Sequence, residues 1–310
     1  MSSNAVRALL DNNAWIDIVT RDSSGKMLTK LQQAVARESV GILVPSAAIE
    51  ETMAFAATDG AATRRRLAYM RAFGHGHLLR DVSELAHMEM RGEPTEGHIF
   101  TPDDDATSLY TIALEAADNH GTFTAPTDGK TYDASSIAND TKNSALDGGR
   151  SSDKGTETEI VFAWTSRHSG TIQDGAVLTD GLELTPDATS EEVLQAYGNR
   201  MTRQAERIFE AWVRDILAKA GAAADVITDD PVHHPFFSAC VAYDYAHLGR
   251  HLRNGTLWAR GDSYDRHYCV LGVAADILVT SDTGLQRTCQ LMPFRPFQVL
   301  SAQDFIEKYA

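Results

Sequence analysis

The chain has 310 residues, of which 43% are hydrophobic and 23% charged, a balance that suits a soluble globular protein with one large core or two ordinary ones. Its net charge of -15 argues against broad adhesion to nucleic acid or to an anionic membrane, although a local basic track remains compatible with it. Cys240, Cys269 and Cys289 are far apart and form no C-x-x-C pair, which argues against a disulfide framework or a zinc knuckle. No apolar run approaches the roughly 18 residues of a membrane span, and "MSSNAVRALLDNNAW" lacks a signal-peptide pattern. A cytoplasmic location is expected.

The elements follow in chain order. "AVRALL", 5 to 10, reads as a strand closed by Asp11 and two asparagines. "MLTKLQQAVARE", 27 to 38, sets Leu28, Leu31 and Val35 at helical spacing. "VGILVP", 40 to 45, reads as a second buried strand. "SAAIEETMAFAA", 46 to 57, reads as a helix with Ser46 as its N-cap. Strand, helix, strand, helix predicts a parallel sheet with crossover helices. Residues 61 to 90 read as helix broken near "GHGH".

From Asp118 to Glu159 small polar residues dominate, too few of them apolar to bury a core. Residues 86 to 187 are expected to form an insertion, polar and partly flexible, with "IVFAW" (160 to 164) and "AVLTDGLEL" (176 to 184) as a small β-element. Residues 1 to 85 and 188 to 310 are expected to form the core with added helices. Within the latter, 189 to 221 shows helical spacing through Val193, Tyr197, Met201, Ile208, Trp212 and Ile216. Residues 236 to 252 and 263 to 275 read as further helices, the latter leading into a strand, "ILVT", at 277 to 280. A short strand at 298 to 300 and a capped helix, "SAQDFIEKYA", close the chain.

Four acids recur at one kind of position. Asp11 follows the first strand, Glu51 lies early in the helix after the second, Asp265 opens a helix and Asp282 ends the strand that follows it. Ligands of open parallel sheets sit at the carboxyl ends of strands. Carboxylates converging there repel unless a cation joins them, and Mg²⁺ or Mn²⁺ prefers such oxygen donors.

Three segments, "ALLDNNAWID", "LVPSAAIEETM" and "YDRHYCVLGVAADILVTSDTGL", resemble those of PIN-domain nucleases. They cover roughly the first 60 and last 55 residues. The resemblance implies an α/β fold with a central, mostly parallel sheet flanked by helices, here with a long central insertion and extra helices. It implies Asp11, Glu51, Asp265 and Asp282 as catalytic residues and metal ligands. The family's acid stands six residues after the proline, so Pro45 selects Glu51 over Glu50. It further implies a Mg²⁺- or Mn²⁺-dependent endonuclease that hydrolyses phosphodiester bonds, in RNA before DNA.

Each acid also has a plainer reading. Asp11, Asp265 and Asp282 suit helix caps or turns, and Glu51 suits a solvated helix face. Glu50, Asn12, Asp262, Thr280 and His267 are secondary candidates: Asn12 for a phosphate or metal water, Thr280 to orient a carboxylate, Asp262 as a support or cap, His267 for a phosphate. Asp17 is a weaker one, and Asp276 belongs at the opposite end of its strand. "GHGH" and the histidine pair at 233 to 234 lack the spacing of a helical zinc site.

Two basic runs, "RRRLAYMR" and "HLGRHLRNGTLWARG", carry aromatics and suit either a solvated face or a nucleic-acid track. The second precedes Asp265, so Arg250, Arg253 and Arg260 are expected to bind substrate. The partner expected is single-stranded or structured RNA and no membrane; a homo-oligomer or a regulatory protein partner stays open. The competing readings are a non-catalytic binding or assembly module of the same fold and a DNA or structure-specific nuclease.

Overall fold

The computed structural model describes residues 5–74, 76–90, 92–95, 97–138, 177–179, 182–184, 234–254, 262–292 and 295–310. Strands β1 (Val6–Leu10), β2 (Val40–Pro45), β3 (Leu78–Leu79), β8 (Ile277–Val279) and β9 (Gln298–Leu300) form one sheet in the order β3-β2-β1-β8-β9. Every pairing in it is parallel. The fold is therefore α/β, a parallel sheet flanked by helices. The central strands carry unbroken apolar runs because both faces are covered, and β2 is buried along its whole length.

The chain steps from β1 to β2 to β3 on one side of β1, then returns to place β8 and β9 on the other. The order reverses between β1 and β8, and such sheets take ligands beyond the carboxyl ends of the strands at that point. Leu10 stands opposite Val279, so both strands finish at the same level.

Helix α1 (Asn12–Trp15) starts at once after β1 and continues into a wider turn, Ile16–Arg21. Helix α2 (Lys26–Ala36) follows Gly25, whose φ of 66° makes a left-handed entry that suits glycine. Helix α3 (Ser46–Met53) begins one residue earlier than expected. Pro45 takes the cap position with no side-chain bond, and Ser46 is the first helical residue. Between α4 (Gly60–Phe73) and α5 (Val82–Met90) the expected break holds β3, a two-residue strand too short for a periodic signal.

Helix α6 (Asp103–Asp118) falls in the stretch expected as an insertion, yet it packs on α3 and α4, and Tyr110, Ala113 and Ala116 join the core. Its buried stripe is mostly alanine, which gives little hydrophobic contrast along the chain. Three acids in its first turn favour the positive end of its dipole. The approach to α4 is close: a Cβ at Gly60 would stand 2.6 Å from the Ala117 carbonyl oxygen.

Two antiparallel hairpins follow, β4 (Thr122–Thr124) with β5 (Thr131–Asp133), and β6 (Val177–Thr179) with β7 (Leu182–Leu184). The second lies in the expected strand segment 176 to 184. The segments 160 to 164 and 189 to 221 lie outside the described residues.

Helix α7 (Pro235–Asn254) receives its cap from another element. Glu89 of α5 is buried, and its Oε1 and Oε2 accept the Phe236 and Phe237 N–H groups at 3.2 and 2.8 Å. Helix α8 (Asp262–Leu271) packs on α7, α3, α5 and β2, then leads through a short 3₁₀ turn into β8. Helices α9 (Thr283–Leu291) and α10 (Ala302–Tyr309) complete the chain. The three cysteines are buried and form no disulfide among the described residues, with the Cys269 and Cys289 sulfurs 3.1 Å apart between α8 and α9. Asp276 precedes β8, at the end of the strand opposite Asp282, and is paired with Arg7 at 3.1 Å. No helix among the described residues is long and apolar enough to cross a membrane.

Candidate active site at the switch point of the sheet

Asp11 is the first residue beyond β1 and is 2% exposed. Its Oδ1 caps α1 by accepting the Ala14 N–H at 2.7 Å, and its own N–H donates to the Val279 carbonyl at 3.0 Å. Its Oδ2 accepts the Thr280 hydroxyl at 2.5 Å. Burial pushes the carboxyl up to about 7; the Thr280 and Ala14 hydrogen bonds pull it down, and the charges of Glu51 and Asp282 push it up again.

Asp282 follows β8 on the neighbouring strand. Its Oδ1 accepts the Gly284 and Leu285 N–H groups at 2.6 and 3.0 Å, capping α9. The cap reading therefore holds for both strand-end acids, and it coexists with their place on the rim. Capping occupies one Asp282 oxygen, and the other accepts no hydrogen bond from a described residue.

Glu50 and Glu51 face different neighbours. Glu51 Oε2 accepts the Tyr268 hydroxyl at 2.9 Å, and its charge acts on Asp11 and Asp265. Glu50 is pushed up by burial and pulled down by His267, with Asp81 opposing. His267 Nε2 lies 3.4 Å from Asp81 Oδ2 while its Nδ1 meets the Ser263 carbonyl at 2.7 Å. Burial pulls this imidazole down, but the Asp81 contact and the Ser263 carbonyl outweigh it and leave it above its ordinary value. Its contact with Asp81 holds that carboxyl well below the usual range. Glu50, His267 and Asp81 thus make a separate group. His267, a secondary candidate for a phosphate contact, is engaged with Asp81 and Ser263.

Asp265 sits in the first turn of α8 and accepts no hydrogen bond from any described residue. Burial raises its carboxyl well above the ordinary range, and the charges of Asp282, Asp262, Glu51 and Asp11 raise it further, in that order. Those four influences place the sequence-derived acids in one electrostatic neighbourhood. Asp262, 3% exposed, also acts on Asp265, and its Oδ2 lies 3.3 Å from His247 Nε2 on α7. It supports the α7–α8 junction. Asp17 pairs with Arg21 at 3.0 Å on its own turn.

Sequence reading missed three residues. Tyr268 stands three after Asp265, on the same helix face; only its spacing signalled it. Thr52 donates to Asn12 Oδ1 at 2.9 Å. Arg66, the third arginine of "RRRLAYMR", turns inward and is 4% exposed, with Nη1 3.3 Å from the same Asn12 oxygen. Asn12 is therefore buried, with its oxygen taken by two donors. Arg250 and Arg253 fall near the end of α7, and Arg260 lies outside the described residues.

The donor set at the rim is all oxygen, which fits a hard divalent cation rather than zinc or copper. Among the described residues, no three histidine, cysteine, aspartate or glutamate side chains stand in a metal-holding arrangement. Gathering these carboxylates on one ion therefore takes side-chain rotation. Comparison with protein-family models, curated proteins and solved structures finds no match to this chain.

Proposed function

We propose that the chain is a divalent-metal-dependent endonuclease, an endoribonuclease first, with Asp11, Glu51, Asp265 and Asp282 as the residues that would hold Mg²⁺ or Mn²⁺. One observation carries the reading. Asp265 is a carboxylate whose ionisation is opposed by burial and by Asp282, Asp262, Glu51 and Asp11, and no described residue donates to it. Such a group is costly without a cation and useful with one. Its place beside the switch point of a parallel sheet adds support. The likeness of the three segments to PIN-domain nucleases directs the chemistry to phosphodiester hydrolysis and the substrate to RNA.

A divalent ion bound there would supply Lewis-acid chemistry, neutralising phosphate charge and lowering the pKa of a water. The chain's own residues do the positioning. Thr280 orients Asp11 through Oδ2, the α9 amides hold Asp282 through Oδ1, and Tyr268 holds Glu51 through Oε2. Each contact fixes one oxygen of its carboxylate, so the turning needed to gather the set on an ion would fall first to Asp265, to which no described residue donates.

A second reading, a binding or assembly module without turnover, draws support from the caps. Asp11 and Asp282 both complete helix N-termini, a sufficient structural reason for an aspartate. The two readings part on one experiment: labelled single-stranded RNA with Mn²⁺, with EDTA, and with Asp282→Asn, beside a matched DNA. Cutting that needs Mn²⁺ and is lost in the variant supports the nuclease. A folded protein that neither cuts nor gains thermal stability with Mn²⁺ overturns it and leaves the module.

A further inference from the structure

Phe55 is one of two large hydrophobic side chains exposed among the described residues, at 42%. It lies in the turn between α3 and α4, four residues beyond Glu51. The turn is closed by backbone bonds: the Phe55 carbonyl accepts the Thr58 and Asp59 N–H groups at 3.0 and 2.9 Å, and Asp59 caps α4 through the Ala62 N–H at 3.0 Å. The ring is therefore held out on a fixed support.

Beneath it lies Arg66. The guanidinium carbon is 5.6 Å from the Phe55 ring centroid, within cation–π range. The side chain is 4% exposed, and its Nε is buried with no hydrogen-bond partner among the described residues. Nη1 reaches the Asn12 oxygen, which also accepts from Thr52. One amide oxygen thus ties together the residue after Asp11, the residue after Glu51 and this arginine. The charges of Asp59 and Glu51 both act on Arg66. A guanidinium placed this way offsets part of the negative charge that would otherwise turn a phosphodiester away from the carboxylate rim.

We propose that the outer face of Phe55, backed by Arg66, is a stacking platform for a base of single-stranded nucleic acid whose backbone runs on to the carboxylate rim. The inference rests on the nuclease reading and names the form of its substrate. An aromatic ring accepts any base by its π-face, and a cation on the opposite ring face strengthens the stack. Bases of a duplex are already stacked and paired, so the platform selects unpaired strand. The ring is held by the fold and lies one turn past Glu51, so a stacked base brings the adjoining phosphate toward the acids.

The test uses Phe55, a surface residue whose replacement leaves the core intact. Binding of a short labelled single-stranded RNA is measured by fluorescence anisotropy in EDTA for the wild type, Phe55→Ala and Phe55→Trp, and cleavage with Mn²⁺ gives KM and kcat for each. The expected result is a loss of roughly tenfold in affinity and a matching rise in KM for F55A, with F55W near wild type. If the wild type cuts and F55A binds and cuts as it does, the platform is overturned and the nuclease stands. If binding depends on Phe55 but nothing is cut, the platform stands and the nuclease reading falls. If the folded wild type neither binds nor cuts, both are overturned.

Discussion

Thr280 ties the two strand-end acids together: its hydroxyl donates to Asp11 Oδ2 at 2.5 Å and accepts the Asp282 N–H at 3.0 Å. The residue is fully buried. One side chain thus sets the direction of a carboxylate on β1 and the backbone of the loop after β8. The hydroxyl has one proton and spends it on Asp11, which favours the ionised form of that acid.

Thr280→Val removes this donor and acceptor with little change in volume. The expected cost is about 2 kcal/mol, because a buried carboxylate and a backbone N–H both lose a partner. The Asp11 carboxyl then rises further, so Mn²⁺ binding at pH 7 weakens and recovers at higher pH. Thr280→Ser keeps the hydroxyl and behaves nearly as wild type. Thermal melts and Mn²⁺ titrations at two pH values check this. A T280V protein as stable as wild type, with the same Mn²⁺ affinity at pH 7, removes the assigned role.

The metal-free protein loses stability as pH rises from about 4 to about 7. The sign follows from the direction of the shifts. Asp11 is raised from its ordinary 3.8 to about 7 and Asp265 is raised well above the same value, so the folded state holds protons that the unfolded chain has released. Their contribution is full below the ordinary value and gone once the folded groups ionise. For Asp11 alone the change is about 4 kcal/mol across the interval, an upper figure. Mn²⁺ restores stability at pH 8 and does little at pH 4. Asp265→Asn flattens the slope, stabilises the metal-free protein at pH 8 by about 1–3 kcal/mol and abolishes the Mn²⁺ response. Melting temperatures over this range decide it: a flat profile without metal, or an Asp265→Asn variant that still responds to Mn²⁺, sinks the claim.

Glu89→Ala strips the N-terminus of α7 of its acceptor. Two buried N–H groups, of Phe236 and Phe237, are left without the carboxylate, at a cost of about 2–4 kcal/mol. Burial pushes the Glu89 carboxyl up to about 7, against the pull of the Phe237 and Phe236 N–H groups. Its stabilising share is therefore largest below about 4.5 and falls through pH 7. Urea unfolding at pH 5 and pH 8 is expected to show the larger loss at pH 5. Equal stability of variant and wild type at pH 5 refutes the assignment.

Much of this was legible along the chain. "AVRALL", "VGILVP" and "ILVT" announce buried strands because parallel strands covered on both faces need continuous apolar runs. The acids that end the first and last of these runs announce themselves by position, since a residue one or two steps past a strand must stand on the sheet's rim. The order of strands and helices called for crossover connections and hence an α/β fold. Local chemistry sufficed for these because each depends on residues a few positions apart.

Other features were decided by packing between distant segments. Leu10 meets Val279, and Thr280 meets Asp11, across 269 positions of chain. Nothing near either residue encodes that register; it follows from which apolar faces bury best together. Packing also turned Arg66 inward while Arg64 and Arg65 of the same run stay exposed, and it sent Glu50 toward His267 but Glu51 toward Tyr268. Adjacent side chains on a helix diverge by about 100°, so two neighbouring glutamates necessarily look different ways, and only the helix's seating on β2 and α8 determines which one faces the rim.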